Sequence, residues 1–200
     1  MEISLLRMGT VLAKTTVSDD GSETREYPYG RMFAHVVGYT NNGKGGLESQ
    51  YNFNLLRSHS FFLTQIINDL KNKKNIGDTL VTTLDYDVQE TAYKALGDRD
   101  GAVVVMEVKT GKILALVSKP DFDPNTLAER WDDIVSDENS SVLLNRVTSG
   151  LYPPGSTFKI FTTLEYVHEN SNYQDYSFDC EGELNVDGNE IHCYHKAVHG

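Results

Sequence analysis

Through the first 75 residues the apolar runs are short and bounded by turn formers: 10–13, then the polar stretch 18–26, then 32–37, then the Asn/Gly-rich 41–46. Runs of that length between turns predict a small β-containing module, with 32–37 read as strand-like. From Leu55 the period changes. Leu56, Leu63, Ile66, Ile67 and Leu70 recur at helical spacing, and the segment closes on Lys71-Asn72-Lys73-Lys74, cations that suit a helix C-terminus. A helix is expected over 55–70 and a domain boundary near 75–78.

The later pattern is sharper. Residues 79–84 are β-prone, and Asp85 is a good N-cap for a helix that puts Val88, Ala92, Ala95 and Leu96 on one face. Two apolar runs, 102–108 and 113–118, are joined by Lys109-Thr110-Gly111-Lys112, which predicts a hairpin with Gly111 at positive φ. Both runs are apolar almost throughout, so burial on both faces is expected. Pro120 to Pro124 reads as a turn, and Asn125 as the cap of a helix running through Trp131 to Val135. Further on, Ile160, Phe161, Leu164 and Val167 recur at helical spacing behind a Pro/Gly break.

Composition narrows the function. A chain of 200 residues can bury roughly 70% of its unfolded surface and so hold a real core. With 18 Lys+Arg against 29 Asp+Glu the formal charge is −11, the wrong sign for nucleic acid or an anionic membrane surface. No apolar run is long enough to span a membrane, and the first ten residues lack the pattern of a signal peptide. Two cysteines, Cys180 and Cys193, are too few for a disulfide scaffold.

Three clusters carry candidate chemistry. Gly38-Tyr-Thr-Asn-Asn-Gly43-Lys44-Gly45 nearly matches a phosphate-binding loop, but the position after the lysine, which must supply a hydroxyl to Mg²⁺, is glycine. A Gly/Asn-rich turn explains it more simply. Cys180, His192, Cys193, His195 and His199 crowd together, with Gly182 and Asp187-Gly188-Asn189 as turn signals between the cysteines. A cross-strand disulfide, two packed thiols, or a metal held by Cys180, His192, Cys193 and His195 all remain open, and the spacing fits no standard structural zinc pattern. The third cluster is Tyr152-Pro-Pro-Gly-Ser-Thr-Phe-Lys159. Ser156 and Lys159 are three apart at a helix start, which puts their Cβ atoms roughly 5–6 Å apart. A neutral lysine so placed can take the serine proton, and the helix N-terminus favours the charge that develops there. That chemistry requires the lysine to be desolvated, with Phe158 and Phe161 as the candidate apolar neighbours.

Tyr152 to Lys159, read with Gly101 to Pro120 and Asp121-Phe-Asp-Pro-Asn125, resembles the class B penicillin-binding proteins. The stretch Gly77 to Asp85 is similar to that family's entry into the transpeptidase domain, and Gly38-Tyr39 with Gly46 to Asn52 to its N-terminal pedestal. The resemblance implies an α+β architecture: a β-rich pedestal over residues 1–76, then over 77–200 the first part of a transpeptidase domain, an antiparallel sheet with flanking helices. It implies no cofactor and no metal. Ser156 becomes the nucleophile, with its backbone N–H in the oxyanion hole, and Lys159 the general base. Implied partners are the D-Ala-D-Ala end of a peptidoglycan stem peptide, penicillin and other β-lactams, a membrane glycan polymerase, and a second copy of the chain. The implied location is the extracytoplasmic face of the bacterial membrane, the family's anchor being absent from these residues.

Two departures qualify this. The family's Ser-x-Asn motif occurs nowhere in the chain, and Lys109-Thr110-Gly111 precedes Ser156, whereas the family's catalytic Lys-Thr-Gly follows it. The resemblance therefore implies part of a longer protein, incomplete at its C-terminus and weak or inactive alone. Rival readings are a class D-like β-lactamase or β-lactam sensor, and a non-catalytic interaction module.

Overall fold

The computed structural model describes residues 2–5, 9–56 and 78–199, arranged as two compact units, 1–151 and 152–200. The first unit opens with β1 (Glu2–Leu5), β2 (Val11–Val17) and β3 (Glu23–Glu26), joined antiparallel in sequence order. The strand β4 (Thr79–Thr82) adds parallel to β1, so the β-prone run after the expected boundary completes the N-terminal sheet in the order β3-β2-β1-β4. Ile3, Leu12, Ala13, Tyr27, Phe33, Val37, Leu55 and Leu84 form its core. Fully burying an aliphatic side chain of this size stabilises the fold by roughly 1.5–3 kcal/mol.

The run 32–37 is helical rather than extended: a 3-10 turn at Gly30–Phe33 leads into α1 (Ala34–Val37). Its apolar residues fit that geometry, since Phe33 and Val37, four apart, face one core while Ala34 faces a second, with Phe122, Leu127 and Ile134. After α1 the chain turns back on itself. A Cβ on Gly38, at φ +93°, would overlap the Gly45 carbonyl, so the glycines of the near-phosphate loop let two backbones touch. Lys44 is hydrogen-bonded to Asn52, and the adjoining cavity of about 520 Å³ has no lysine or arginine in its lining. The segment then forms α2 (Gly46–Gln50) and α3 (Asn52–Leu56); the rest of the helix expected over 55–70 lies outside the described residues.

The helix α4 (Tyr86–Leu96) starts where expected: Asp85 Oδ1 accepts from the Asp87 and Val88 N–H groups at 3.1 and 3.2 Å. It packs Ala92 on Ala115 and Val117 of the hairpin β5 (Gly101–Met106) and β6 (Ile113–Lys119), whose turn holds Gly111 at φ +72°. Two-sided burial holds for neither strand throughout. The strand β5 alternates, Val103 and Val105 facing α4 while Val104 and Met106 are 42% and 52% exposed. Among the described residues β5 pairs only with β6, which leaves its other edge open.

Three polar groups organise this unit. Gln89, fully buried on α4, donates to the Met32 and Leu116 carbonyls and accepts from the Leu116 N–H. Asn125 is not a helix cap; it exchanges two hydrogen bonds with the Tyr27 backbone at 2.9 and 3.0 Å, and α5 (Trp131–Ser136) begins without a side-chain cap. His35, 7% exposed, is 3.0 Å from the Pro120 carbonyl through Nε2, stacks edge-on to Phe122, and its own carbonyl accepts from Asn145, which also caps α6 (Arg146–Ser149).

Burial pulls the His35 pKa below its ordinary 6.5, against the opposing pull of the Pro120 hydrogen bond and Asp121. Above 6.5 the ring is neutral in both folded and unfolded chains; below it the unfolded chain takes the proton first. Stability is therefore expected to fall as pH drops from about 6.5 toward the lowered folded-state value. Urea melts between pH 8 and 5 check this: His35→Gln flattens the slope in that window, and an unchanged slope contradicts it.

No helix among the described residues is long and apolar enough to cross a membrane.

Candidate active site

The second unit begins Tyr152-Pro153-Pro154, after which a 3-10 turn at Gly155–Phe158 runs directly into α7 (Lys159–Glu169). Proline before the first turn forgoes only an N–H that a helix leaves unpaired there, and Gly155, at φ +54°, makes the break. Ser156 lies in that first turn, and the Lys159 N–H donates to the Ser156 and Thr157 carbonyls. The Thr157 hydroxyl donates to the Pro154 carbonyl at 2.6 Å, closing the turn in which Ser156 is exposed. One helical turn thus carries both groups of the S-x-x-K pair.

The expected desolvation of Lys159 is not supplied within residues 152–199. Ser156 and Lys159 are both exposed, and the Phe158 and Phe161 rings, 5.8 Å apart, are themselves 52% and 65% exposed. Ile160, Phe161 and Leu164 line α7 with an apolar stripe, each more than half exposed. Among the described residues of this unit no apolar side chain is fully buried. The Lys109-Thr110-Gly111 triplet sits in the β5–β6 turn of the first unit, where Thr110 bonds Glu107, a structural rather than catalytic setting.

The cysteine hairpin forms as its turn signals predict: β7 (Glu183–Val186) and β8 (Asn189–His192) pair through a turn with Asp187 and Gly188 at φ +51° and +84°. Cys180 and Cys193 flank it with Sγ atoms 3.3 Å apart, unbridged. The histidines sort differently from the expected set. His192 lies between Glu183 and Glu190 at 3.7 and 3.6 Å, and His195 stacks on Tyr194, so neither joins the thiols. His199 does, with Nδ1 at 3.4 Å from Cys180 Sγ. The sequence signal for it was the close spacing from Cys193, which the crowd of nearer histidines obscured. The His199 hydrogen bond, aided by the Gly182 and His199 backbone N–H groups, lowers the Cys180 thiol pKa to about 6, and the Cys193 thiol is raised by its neighbour Cys180.

Residues 101–199 match the penicillin binding protein transpeptidase domain, and residues 3–80 the penicillin binding protein A dimerisation domain. Over 173 residues the chain is 36% identical to the peptidoglycan D,D-transpeptidase PbpA of Mycolicibacterium smegmatis, covering 78% of this chain and 35% of that protein. It is 32% identical over 176 residues to the D,D-transpeptidase MrdA of Acinetobacter baumannii, covering 72% of this chain and 26% of that protein. The fold is similar to the D,D-transpeptidase domain of an Eggerthella lenta peptidoglycan glycosyltransferase, with TM-score 0.84, 32% identity, and coverage of 100% of this chain and 44% of that one. It is likewise similar to penicillin-binding protein A of Mycobacterium tuberculosis in its penicillin G acyl-enzyme complex, with TM-score 0.85, 27% identity, and coverage of 100% and 49%. The chain thus spans about a third or less of these curated relatives and about half of these solved chains.

Proposed function

The chain belongs to the class B penicillin-binding proteins, and from that premise we propose that it carries the nucleophile of a peptidoglycan D,D-transpeptidase, with Ser156 as the attacking group and Lys159 as its base. The observation that supports this most directly is the placement of both residues in one turn at the head of α7, inside the 101–199 match to the transpeptidase domain. In this reading residues 1–76 act as the pedestal and 77–200 supply the first part of the catalytic domain.

Lys159, neutral when enclosed, accepts the Ser156 proton as Oγ attacks the carbonyl of the penultimate D-alanine of a stem peptide. The tetrahedral oxyanion is met by the Ser156 N–H at the helix start. Collapse breaks the peptide bond, D-alanine leaves with the proton, and a serine ester remains. The amine of a neighbouring stem peptide then attacks the ester, forms the cross-link and returns Ser156 to its alcohol. A β-lactam carbonyl enters the same path but leaves an acyl-serine with no departing group to make way for the amine. No metal or organic cofactor takes part.

The surroundings follow from the chemistry. The work is done at the outer face of the bacterial cytoplasmic membrane, where stem peptides are displayed, beside the membrane polymerase that makes the glycan. The match of residues 3–80 to a dimerisation domain supports association with a second copy. The reading is tested with a synthetic stem pentapeptide ending in D-Ala-D-Ala. D-Alanine release that is lost in Ser156→Ala is expected, slow for residues 1–200 alone because no Ser-x-Asn occurs in the chain. Release that survives Ser156→Ala would overturn it.

A further inference from the structure

The cavity of about 520 Å³ in the first unit is lined from α1, α2 and α6, and its size falls in the range of roughly 300–1,000 Å³ usual for small-molecule sites. None of its lining residues lies beyond Ser149, so it is not built from the Ser156 turn. We propose that this cavity binds an uncharged sugar, a pair of N-acetylated hexose rings as a glycan chain presents them, at a site independent of whether the Ser156 reading is correct.

Charge narrows the ligand first. The lining has no lysine, arginine, aspartate or glutamate. A phosphate, carboxylate or ammonium group seated there would lose its water and gain no counter-ion. His35, which lines the cavity, does not change this. Its Nε2 stands 3.0 Å from the Pro120 carbonyl, which can only accept, so Nε2 carries the proton and Nδ1 of the neutral ring is an acceptor.

A purely apolar occupant fits no better. Ser49 and Gln50 of α2 and Thr148 and Ser149 of α6 are exposed in the lining, and a hydrocarbon against them would strip water from three hydroxyls and an amide without replacing it. Yet Tyr39 and Phe122 bring aromatic surface to the same cavity. A pyranose ring has both characters: its C–H side suits an aromatic face, and its hydroxyls project around the edge. An acetamido group adds an N–H for His35 Nδ1 and a methyl for the apolar surface.

This reading also gives a use to the glycine-rich loop that lacks the hydroxyl of a phosphate site. Gly38, Gly45 and Gly46 all line the cavity, and a Cβ on Gly45 would stand 2.6 Å from Tyr39 Cε1. Bare backbone there lets the loop lie against the Tyr39 ring and keeps side chains out of the space. The Tyr39 ring centroid is 5.8 Å from that of Trp131, the chain's one tryptophan, which makes Trp131 fluorescence a reporter of the site.

The test is titration of residues 1–200 with N,N′-diacetylchitobiose, followed by Trp131 fluorescence and by saturation-transfer NMR of the sugar. Saturable binding at one site per chain is expected. Cellobiose, two hexose rings without acetamido groups, should bind about 5-fold more weakly or worse, the worth of a hydrogen bond or more. Gln50→Ala and Ser149→Ala should each weaken binding about 2- to 10-fold. Ser49→Phe, which puts a ring into the cavity from an exposed position, should abolish it, and Ser156→Ala should leave it unchanged. Circular dichroism melts show which variants are folded; should Ser49→Phe not fold, the two alanine variants carry the test. Absence of saturable binding, equal binding of cellobiose, full binding by a folded Ser49→Phe chain or by both alanine variants, or binding lost in Ser156→Ala would overturn the proposal.

Discussion

Glu48→Ala is expected to destabilise the first unit by about 3–5 kcal/mol, the cost of leaving one member of a buried ion pair behind. Glu48 and Arg25 meet at 2.7 Å with side chains 1% and 7% exposed, joining α2 to β3, and Arg25 Nη1 also donates to Thr15. Removing the carboxylate leaves a guanidinium shut away from water. The sign of the paired replacement separates this account from a simple packing loss. Arg25→Met together with Glu48→Leu removes both charges while keeping bulk, and should recover most of the lost stability. Chemical denaturation of the four chains measures the coupling. A Glu48→Ala effect below about 1 kcal/mol, in the range of an exposed pair, would show that the pair is not buried in solution.

Lys159→Ala should slow acylation by benzylpenicillin by about 10²–10⁴-fold, the usual contribution of a general base, without lowering the melting temperature. The side chain is exposed and makes no contribution to a core, so a change in rate without a change in stability is the mark of a chemical role. Lys159→Arg should be as slow as Lys159→Ala, since guanidinium keeps its proton at any working pH. Stopped acylation time courses across pH give the readout. An arginine variant that retains the unaltered rate would exclude Lys159 as base.

Local features of the fold were legible where one residue type dictates one geometry. Asp85 announced its helix, Gly111 and Asp187-Gly188 announced their hairpins, and Ser156 and Lys159 fell on the predicted turn. What escaped were long-range polar contacts, which leave no period in the sequence. Asn125 looked like a cap because asparagine is a good one, yet its partner is 98 residues away at Tyr27. Gln89 is polar and belongs to none of the apolar positions that mark its helix, yet its amide is what the Met32 and Leu116 backbones bond to. The apolar run of β5 implied two buried faces, but hydrophobicity says only that a residue favours burial, not that a neighbour covers it. For the same reason the enclosure of Lys159 could not be read from Phe158 and Phe161, whose rings stay open to solvent. His199 was masked by His192 and His195, which lie nearer the cysteine in sequence but point to carboxylates and to Tyr194.

The most direct test of the central claim is intact-mass spectrometry of residues 1–200 after long incubation with excess benzylpenicillin, run beside Ser156→Ala and followed by peptide mapping. One covalent adduct per chain is predicted, accumulating slowly, carried by the peptide that contains Ser156 and absent from the alanine variant. Equal labelling of Ser156→Ala, an adduct on another residue, or no adduct on a chain shown to be folded would contradict the assignment of Ser156 as the activated nucleophile.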